Sequence, residues 1–252
     1  MNSLPTSAII ITILFGSAMV TMFAARFLPD HHLSSETKSV VSVSVAVVGT
    51  LSALVVGLLI STASSSFTAK AQEIAGISAN VISLDRLLRR YGPEAQDGRV
   101  LLRHYTAAKL QDLFPENSDQ APDTENIATV TILEELQNKI LTFVPANDTQ
   151  RWLQAESLQL ATASMAARWK LAQESASTPR LLLLLVLFWF VIIFASFGLF
   201  SPRNITAIVA ILLCSVGVGS AIRIITELQE PFGGLIRISN TPLTYALEVI
   251  GR

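Results

Sequence analysis

Four stretches of this chain are long enough to cross a membrane and hold no charged side chain. Residues 1–25, 39–69, 181–202 and 204–222 contain no Asp, Glu, Lys or Arg. A hydrocarbon core about 30 Å thick takes roughly 20 residues of helix, each rising about 1.5 Å. Residues 181–200 meet that demand with only Ser196 and Gly198 outside the apolar set. Residues 204–222 form a second span, richer in small side chains. Residues 39–67 are longer than a span needs and diluted by serine. Residues 6–25 are the remaining span, and the positively charged segment that usually opens a signal peptide is missing before them. Charge is concentrated instead in residues 70–178, which hold 11 of the 18 Lys+Arg and 14 of the 19 Asp+Glu.

This distribution predicts an all-α polytopic membrane protein. Four transmembrane helices would carry a cytoplasmic helical bundle formed by extensions of spans two and three. The expected division is a first helix pair at 1–67, a helical domain at 68–178, a second pair at 179–228 and a membrane-proximal tail at 229–252. Near the span ends, Lys70, Arg86, Arg168, Lys170, Arg180, Arg223 and Arg237 fall on one side, against Arg26, Lys38 and Arg203 on the other. The side richer in Lys and Arg is the cytoplasmic one. Both termini and the 68–178 domain are therefore expected in the cytoplasm, with the chain multi-pass in a bacterial inner membrane. The net charge of −1 offers no basic footprint for nucleic acid, and the single cysteine excludes a disulfide framework.

Within the insert, Ile74, Ile77, Val81, Leu84, Leu88 and Tyr91 step by three and four, a seam that predicts helix. Nothing breaks it from the second span, so one helix is expected from about Ser39 to Gly92-Pro93. A second helix, 94–114, is expected to bury Val100, Leu101, Tyr105, Ala108 and Leu113. After the 116–124 loop, a third covers 125–143. A fourth begins at an Asn147 or Asp148 cap, with Trp152, Leu153, Leu160, Ala163, Ala167 and Trp169 near one face. Ser177-Thr178-Pro179 is a joint into the third span. Thr241-Pro242 opens a short tail helix, expected as a foot on the membrane, with a plug against the helical domain as the alternative.

Candidate functional residues lie mainly on the second span. Ser42, Ala46, Gly49, Ala53, Gly57, Ser61 and Ser64 recur every three or four residues, so one helix face is almost wholly small. Such a face can line a water-filled pore, with hydroxyls partly replacing an ion's hydration, or it can pack closely on another helix. Either use favours a homo-oligomer. Arg223 and Glu227, one turn apart, read as an interfacial anchoring pair or a charged pore mouth. The Asp30, His31, His32 and Glu36 group lacks metal-ligand spacing and reads as a solvated loop. His104 reads as a surface or partly packed residue and Cys214 as a small apolar one. No phosphate-binding loop, nucleophile elbow or catalytic array occurs, so neither an enzyme nor a cofactor or metal is expected. The partners expected are the lipid bilayer, further copies of the chain and inorganic ions.

Several phrases are familiar: HHLSSET (31–37), LDRLLRRYGPEA (84–95), RWLQAESLQLA (151–161), FASFGLFSPRN (194–204) and EPFGGLIRISNTPLTYAL (230–247). Together they resemble a bacterial membrane-protein domain of unknown function described as bestrophin-like, over nearly the whole chain from about residue 30. True bestrophins are pentameric anion channels with four transmembrane segments and cytoplasmic termini, so the resemblance implies an oligomeric passive channel. Two departures stand out. Aromatic side chains form part of the bestrophin neck, yet residues 39–66 contain no Phe, Tyr or Trp. The acidic calcium-binding cluster of the animal proteins is not recognisable, so no functional residue transfers by position. The alternative from another class is a non-conducting membrane scaffold or sensor whose helical domain binds a partner.

Overall fold

A backbone with no water to bond must bond to itself, and every long element of this chain is a helix. The structure is a computed structural model that describes residues 3–29, 34–115, 120–174 and 180–250. The Asp30-His31-His32 group, the 116–119 part of the loop and the Ser177-Thr178-Pro179 joint lie outside the described residues. The helices are α1 (Ser3–Ala24), α2 (Ser35–Tyr91), α3 (Gln96–Leu113), α4 (Ile127–Leu141), α5 (Asp148–Glu174), α6 (Arg180–Phe200), α7 (Ile205–Gln229) and α8 (Thr241–Val249). A 3-10 turn, Pro93–Ala95, stands between α2 and α3. Among the described residues there is no strand. Four helices, α1, α2, α6 and α7, are long and apolar enough to cross a membrane. The chain falls into two units, residues 1–65 with 178–229 and residues 66–177 with 230–252.

In the first unit, α1 packs on both α6 and α7. Its core is Ile10, Leu14, Ala18 and Met22 against Phe194, Ile211 and Ile222. Lipid tails are as apolar as these side chains, so close approach matters more than burial for holding helices together. Two glycines permit it. A Cβ at Gly198 would collide with the Ala18 carbonyl oxygen, and one at Gly219 would collide with Ile11 Cγ1. Beside Gly198, the Thr21 hydroxyl donates to the Ala195 carbonyl across the same contact, at 2.7 Å. Arg203 Nη2 donates to the Met22 carbonyl at the end of α1, at 3.2 Å, where a cation suits the helix dipole.

The second unit is a helical bundle around the seam of α2. Ile74, Ile77, Val81, Leu84, Leu88 and Tyr91 are all buried, as their spacing predicts. They share a core with Leu102, Tyr105 and Leu113 of α3, Leu133, Leu136 and Ile140 of α4, and Leu153 and Ala161 of α5. The α2 helix stops at Gly92, whose φ of +130° suits only glycine. There Gln150 Nε2 donates to the orphan Tyr91 carbonyl at 2.8 Å. Asn126 caps α4 by accepting from the Ala128 amide. Asn147 takes the same part for α5, accepting from the Gln150 amide at 2.9 Å. Arg99 grips Asp85 with Nε at 2.8 Å and Nη2 at 3.4 Å, a bidentate pair that satisfies a carboxylate buried beside the seam.

Three expectations are corrected here. The buried face of α3 is Gly98, Leu102, Tyr105, Thr106, Lys109 and Leu113, whereas Val100 is exposed. The buried face of α5 is Leu153, Ser157, Ala161, Ser164 and Arg168, while Trp152 and Trp169 are exposed. Both misreadings follow from ranking side chains by hydrophobicity. Ser157 and Ser164 pass inside because their hydroxyls donate to the Leu153 and Leu160 carbonyls one turn back. The tail packs against the helical domain, as the alternative has it. Ile238, Leu243, Ala246 and Ile250 join the core of the second unit, and α8 packs on α3. Its first turn holds Pro242, but the cap position belongs to Asn240 rather than Thr241.

Lys109, on the buried face of α3, makes a prediction. Burial pushes its ammonium down from 10.5 to about 8, opposed by Asp112, assisted by Arg168 and opposed again by Asp123. Above about pH 8 the folded protein has released a proton that the unfolded chain keeps until about 10.5. The unfolded state then binds more protons, and stability rises with pH. Thermal unfolding between pH 7 and 10, with gluconate as sole anion so that no small ion screens the charge, should show this rise. Lys109→Met should flatten it.

Candidate pore-lining helix

The first unit holds only a narrow strip of α2. Ser52, Leu59 and Ala63 are buried, and Leu59 and Ala63 meet Val186 of α6 and Ile225 of α7. Successive residues on a helix turn by about 100°, which sets two further strips beside this one. The first is the small strip, Ser42, Ala46, Gly49, Ala53, Gly57, Ser61 and Ser64. Its members are exposed or half-buried, and a Cβ on Gly49 or Gly57 would meet nothing within 4 Å. The small-residue packing of the first unit is thus made by Gly198 and Gly219, and the strip on α2 takes no part in it.

The small strip does not have one environment along its length. Ser42, Ala46 and Gly49 form a wall of a groove of 700 Å³, faced by Phe197 and Phe200 of α6 and Cys214 of α7. Lys38 stands among the lining residues at the start of α2. Ala53, Gly57, Ser61 and Ser64 lie beyond the groove on open surface.

A second open strip was missed by the sequence reading. Val40, Val43, Val47, Leu51, Leu54 and Leu58 are between 48% and 71% exposed and fall on the side of α2 away from Ser52, Leu59 and Ala63. Their spacing of three, four and four again was available in the sequence. Spacing alone does not single it out, because apolar residues are expected all round a membrane span. Polar side chains near this ridge are self-contained: Ser44, Thr50 and Thr62 donate to the carbonyls four residues back at 2.8 to 2.9 Å.

Arg223 and Glu227 form the i,i+4 pair that the spacing predicts, with Nε to Oε1 at 3.8 Å. The Glu227 side chain is buried and Arg223 is 26% exposed, so only Arg223 has surface to offer a pore mouth. Of the other candidates, Cys214 and His104 are both exposed. Among the described residues no three His, Cys, Asp or Glu stand together as metal ligands.

The family model of the Bestrophin-like domain matches residues 12–243 of this chain. The chain belongs to the bestrophin-like family. Its fold is that of a solved member, a bacterial bestrophin homologue from Klebsiella pneumoniae. One crystallised single-substitution variant of that protein is 14% identical and superposes with a TM-score of 0.73, covering 100% of this chain and 99% of the other. A second such variant is 16% identical with a TM-score of 0.68, covering 97% and 99%. None of the curated proteins compared with the chain matches it in sequence. As a bestrophin-like protein it is a multi-pass membrane protein, and at these identities the solved structures establish its fold alone.

The glycines supply a test of this geometry. Gly198→Ala drives a methyl into the α1 backbone, an overpacking cost of about 1–3 kcal/mol or more, and should lower the melting temperature of the detergent-purified protein. Gly57→Ala places a methyl in open space on a helix, where alanine is the better helix former, and should not lower the melting temperature. A fall in the melting temperature of Gly57→Ala would show another backbone packed against the small strip.

Proposed function

We propose that this bestrophin-like protein is the subunit of a homo-oligomeric, passive ion channel whose pore is lined by the membrane half of α2. The observation that carries the reading is the open surface of that helix. A transmembrane helix held along one strip, with the small residues Ala53, Gly57 and Ser61 and a Val/Leu ridge exposed, is incomplete as a monomer. Closing several copies into a ring would give each α2 a neighbour and leave one strip facing an axis. The family supports this, since bestrophins are oligomeric anion channels.

In the proposed ring the small strip lines the conduit through Ala53, Gly57, Ser61 and Ser64, continuing towards Ser42 and Gly49. The ridge then packs on the adjacent subunit. Serine hydroxyls and backbone dipoles would offer a weakly polar path, with charge confined to the ends, where Arg223 is one candidate. Enzymatic chemistry has no place in this reading. The excess of Lys and Arg flanking the 68–178 domain supports a cytoplasmic location for that domain and both termini, in a bacterial inner membrane.

A scaffold reading draws on one feature, a polar cleft of 940 Å³ between α3 and α4 that includes His104, Gln111, Asp112, Asp123 and Glu135. It predicts that substitutions along the cleft abolish capture of a partner and leave conductance untouched.

Cysteine modification in liposomes separates these possibilities. In a Cys214→Ala background, Gly57→Cys and Ser61→Cys should react with a water-soluble thiol reagent, and ion flux should fall at least about tenfold, as expected when a bulky group fills a narrow pore. Leu54→Cys and Leu58→Cys should be inert. The reverse pattern would move the Val/Leu ridge to the lumen. A well-formed oligomer that carries no flux would end the channel reading. Gly57→Phe and Ser61→Phe should likewise block flux while the oligomer assembles.

A further inference from the structure

The groove of the first unit is a wedge between three membrane-spanning helices. Val45, Ser52 and Leu59 recur by seven along α2, and seven steps of about 100° nearly close two turns, so they share one side of the helix. Towards the end of that strip, Leu59 and Ala63 meet Val186 of α6 and Ile225 of α7. Towards its start, Val41 and Val45 are half-buried and line the groove of 700 Å³. Ile193 and Phe197 of α6 and Ile211 of α7 face them from the other walls. On α7 the groove is further lined by Ala207, Ala210 and Cys214, three small side chains at intervals of three and four that do not reach across to α2.

The polarity, length and charge of the groove indicate what it accepts. Its walls are mostly apolar, and the Ser196 hydroxyl among them is spent on the Ile192 carbonyl at 2.9 Å. Apolar cavities stay dry and take up apolar matter, and this one lies where the surroundings are hydrocarbon. The lining on α2 runs from Lys38 to Gly49, about 16 Å of helix axis. One leaflet is half of a hydrocarbon core about 30 Å thick, so the groove is as long as an acyl chain is deep. Charge is confined to one end. Lys38 is the one charged side chain of the lining. It is exposed and takes part in none of the ion pairs among the described residues. Ser201, in the turn between α6 and α7, lines the groove as well.

We propose that the groove between α2, α6 and α7 holds one acyl chain of an anionic phospholipid, with the lipid phosphate at Lys38. The chain would run from Lys38 towards Cys214, along Val41 and Val45 and the ring of Phe197. The Lys38 ammonium and the Ser201 hydroxyl would donate to the phosphate oxygens, and charge-assisted bonds of this kind are the stronger ones. The site lies within one subunit and stands whether or not α2 lines a pore. Where α2 does line one, the acyl chain closes the gap behind Ser42, Ala46 and Gly49, on the side of the helix that carries Val41 and Val45.

The test uses the full-length protein, delipidated in detergent and titrated with phospholipid, with bound lipid counted from the mass of the intact protein. Phosphatidylglycerol should bind saturably at one per subunit. Phosphatidylcholine with the same chains, whose head has no net charge, should bind about tenfold more weakly. Lys38→Gln removes the cation and leaves the groove, and should bring the two affinities together. Ala210→Phe fills the groove and should weaken both lipids at least about tenfold. Should Ala210→Phe fail to fold, Cys214→Phe fills it from the same helix. Crystals grown with phosphatidylglycerol brominated on its chains should show an anomalous peak beside Phe197 and Cys214. Binding that does not saturate would overturn the proposal, as would the same bound lipid in the wild type and a folded groove-filling variant. Equal affinity of the wild type for the two lipids would overturn the place given to Lys38. An Ala210→Phe oligomer that falls apart with its lipid count unchanged would put a second copy of the chain in the groove instead.

Discussion

Inside a bilayer, a peptide group left without a partner costs several kcal/mol, so a spanning chain must close its hydrogen bonds within each helix. The longest element, α2, meets this demand over 57 residues without interruption, about 85 Å of axis at 1.5 Å per residue. No Pro occurs in that run, and the first residue that forces a stop is Gly92. One continuous element thus serves two solvents. Up to Ser65 it belongs to the apolar unit, and from Ser66 its seam organises the helical one. The rest of the structure is arranged around what the two halves of this helix leave uncovered.

The two halves are held by different physics. In the first unit, transfer from lipid to protein gains little, and stability depends on close contact between backbones at Gly198 and Gly219 and on the Thr21 bond to Ala195. The membrane half of α2 contributes Leu59 and Ala63 to a contact with α6 and α7 and leaves its other faces open. In the second unit water drives association, and the seam is covered by side chains from α3, α4, α5 and α8.

That second core also tolerates polar groups that an apolar ranking would exclude. Ser157 and Ser164 enter by bonding their own helix, and Asp85 enters on the guanidinium of Arg99. Lys109 and Arg168 enter with less help, which makes them the least settled groups in the unit. Arg168 and Lys70 belong to the positive residues whose excess predicts the orientation of the chain, yet both are buried. The two roles are compatible, because the charge bias acts during insertion, before the bundle exists.

Charge spacing and hydrophobic period determined the four spans, the unbroken run of α2 and the seam from Ile74 to Tyr91, because each depends on local sequence and on the thickness of the bilayer. They also determined the stop at Gly92 and the pairing of Arg223 with Glu227, both set by geometry within a turn or two. Only the tertiary structure decided that the tail packs on α3, that Lys109 and Arg168 point inward, and which glycines carry the helix contacts. Gly57 and Gly198 look alike in sequence; the difference is whether another backbone lies opposite. The same holds for α2, where a small strip and a Val/Leu ridge are both plain in the sequence. That α6 and α7 cover neither of them follows from where those helices touch α2, along Leu59 and Ala63.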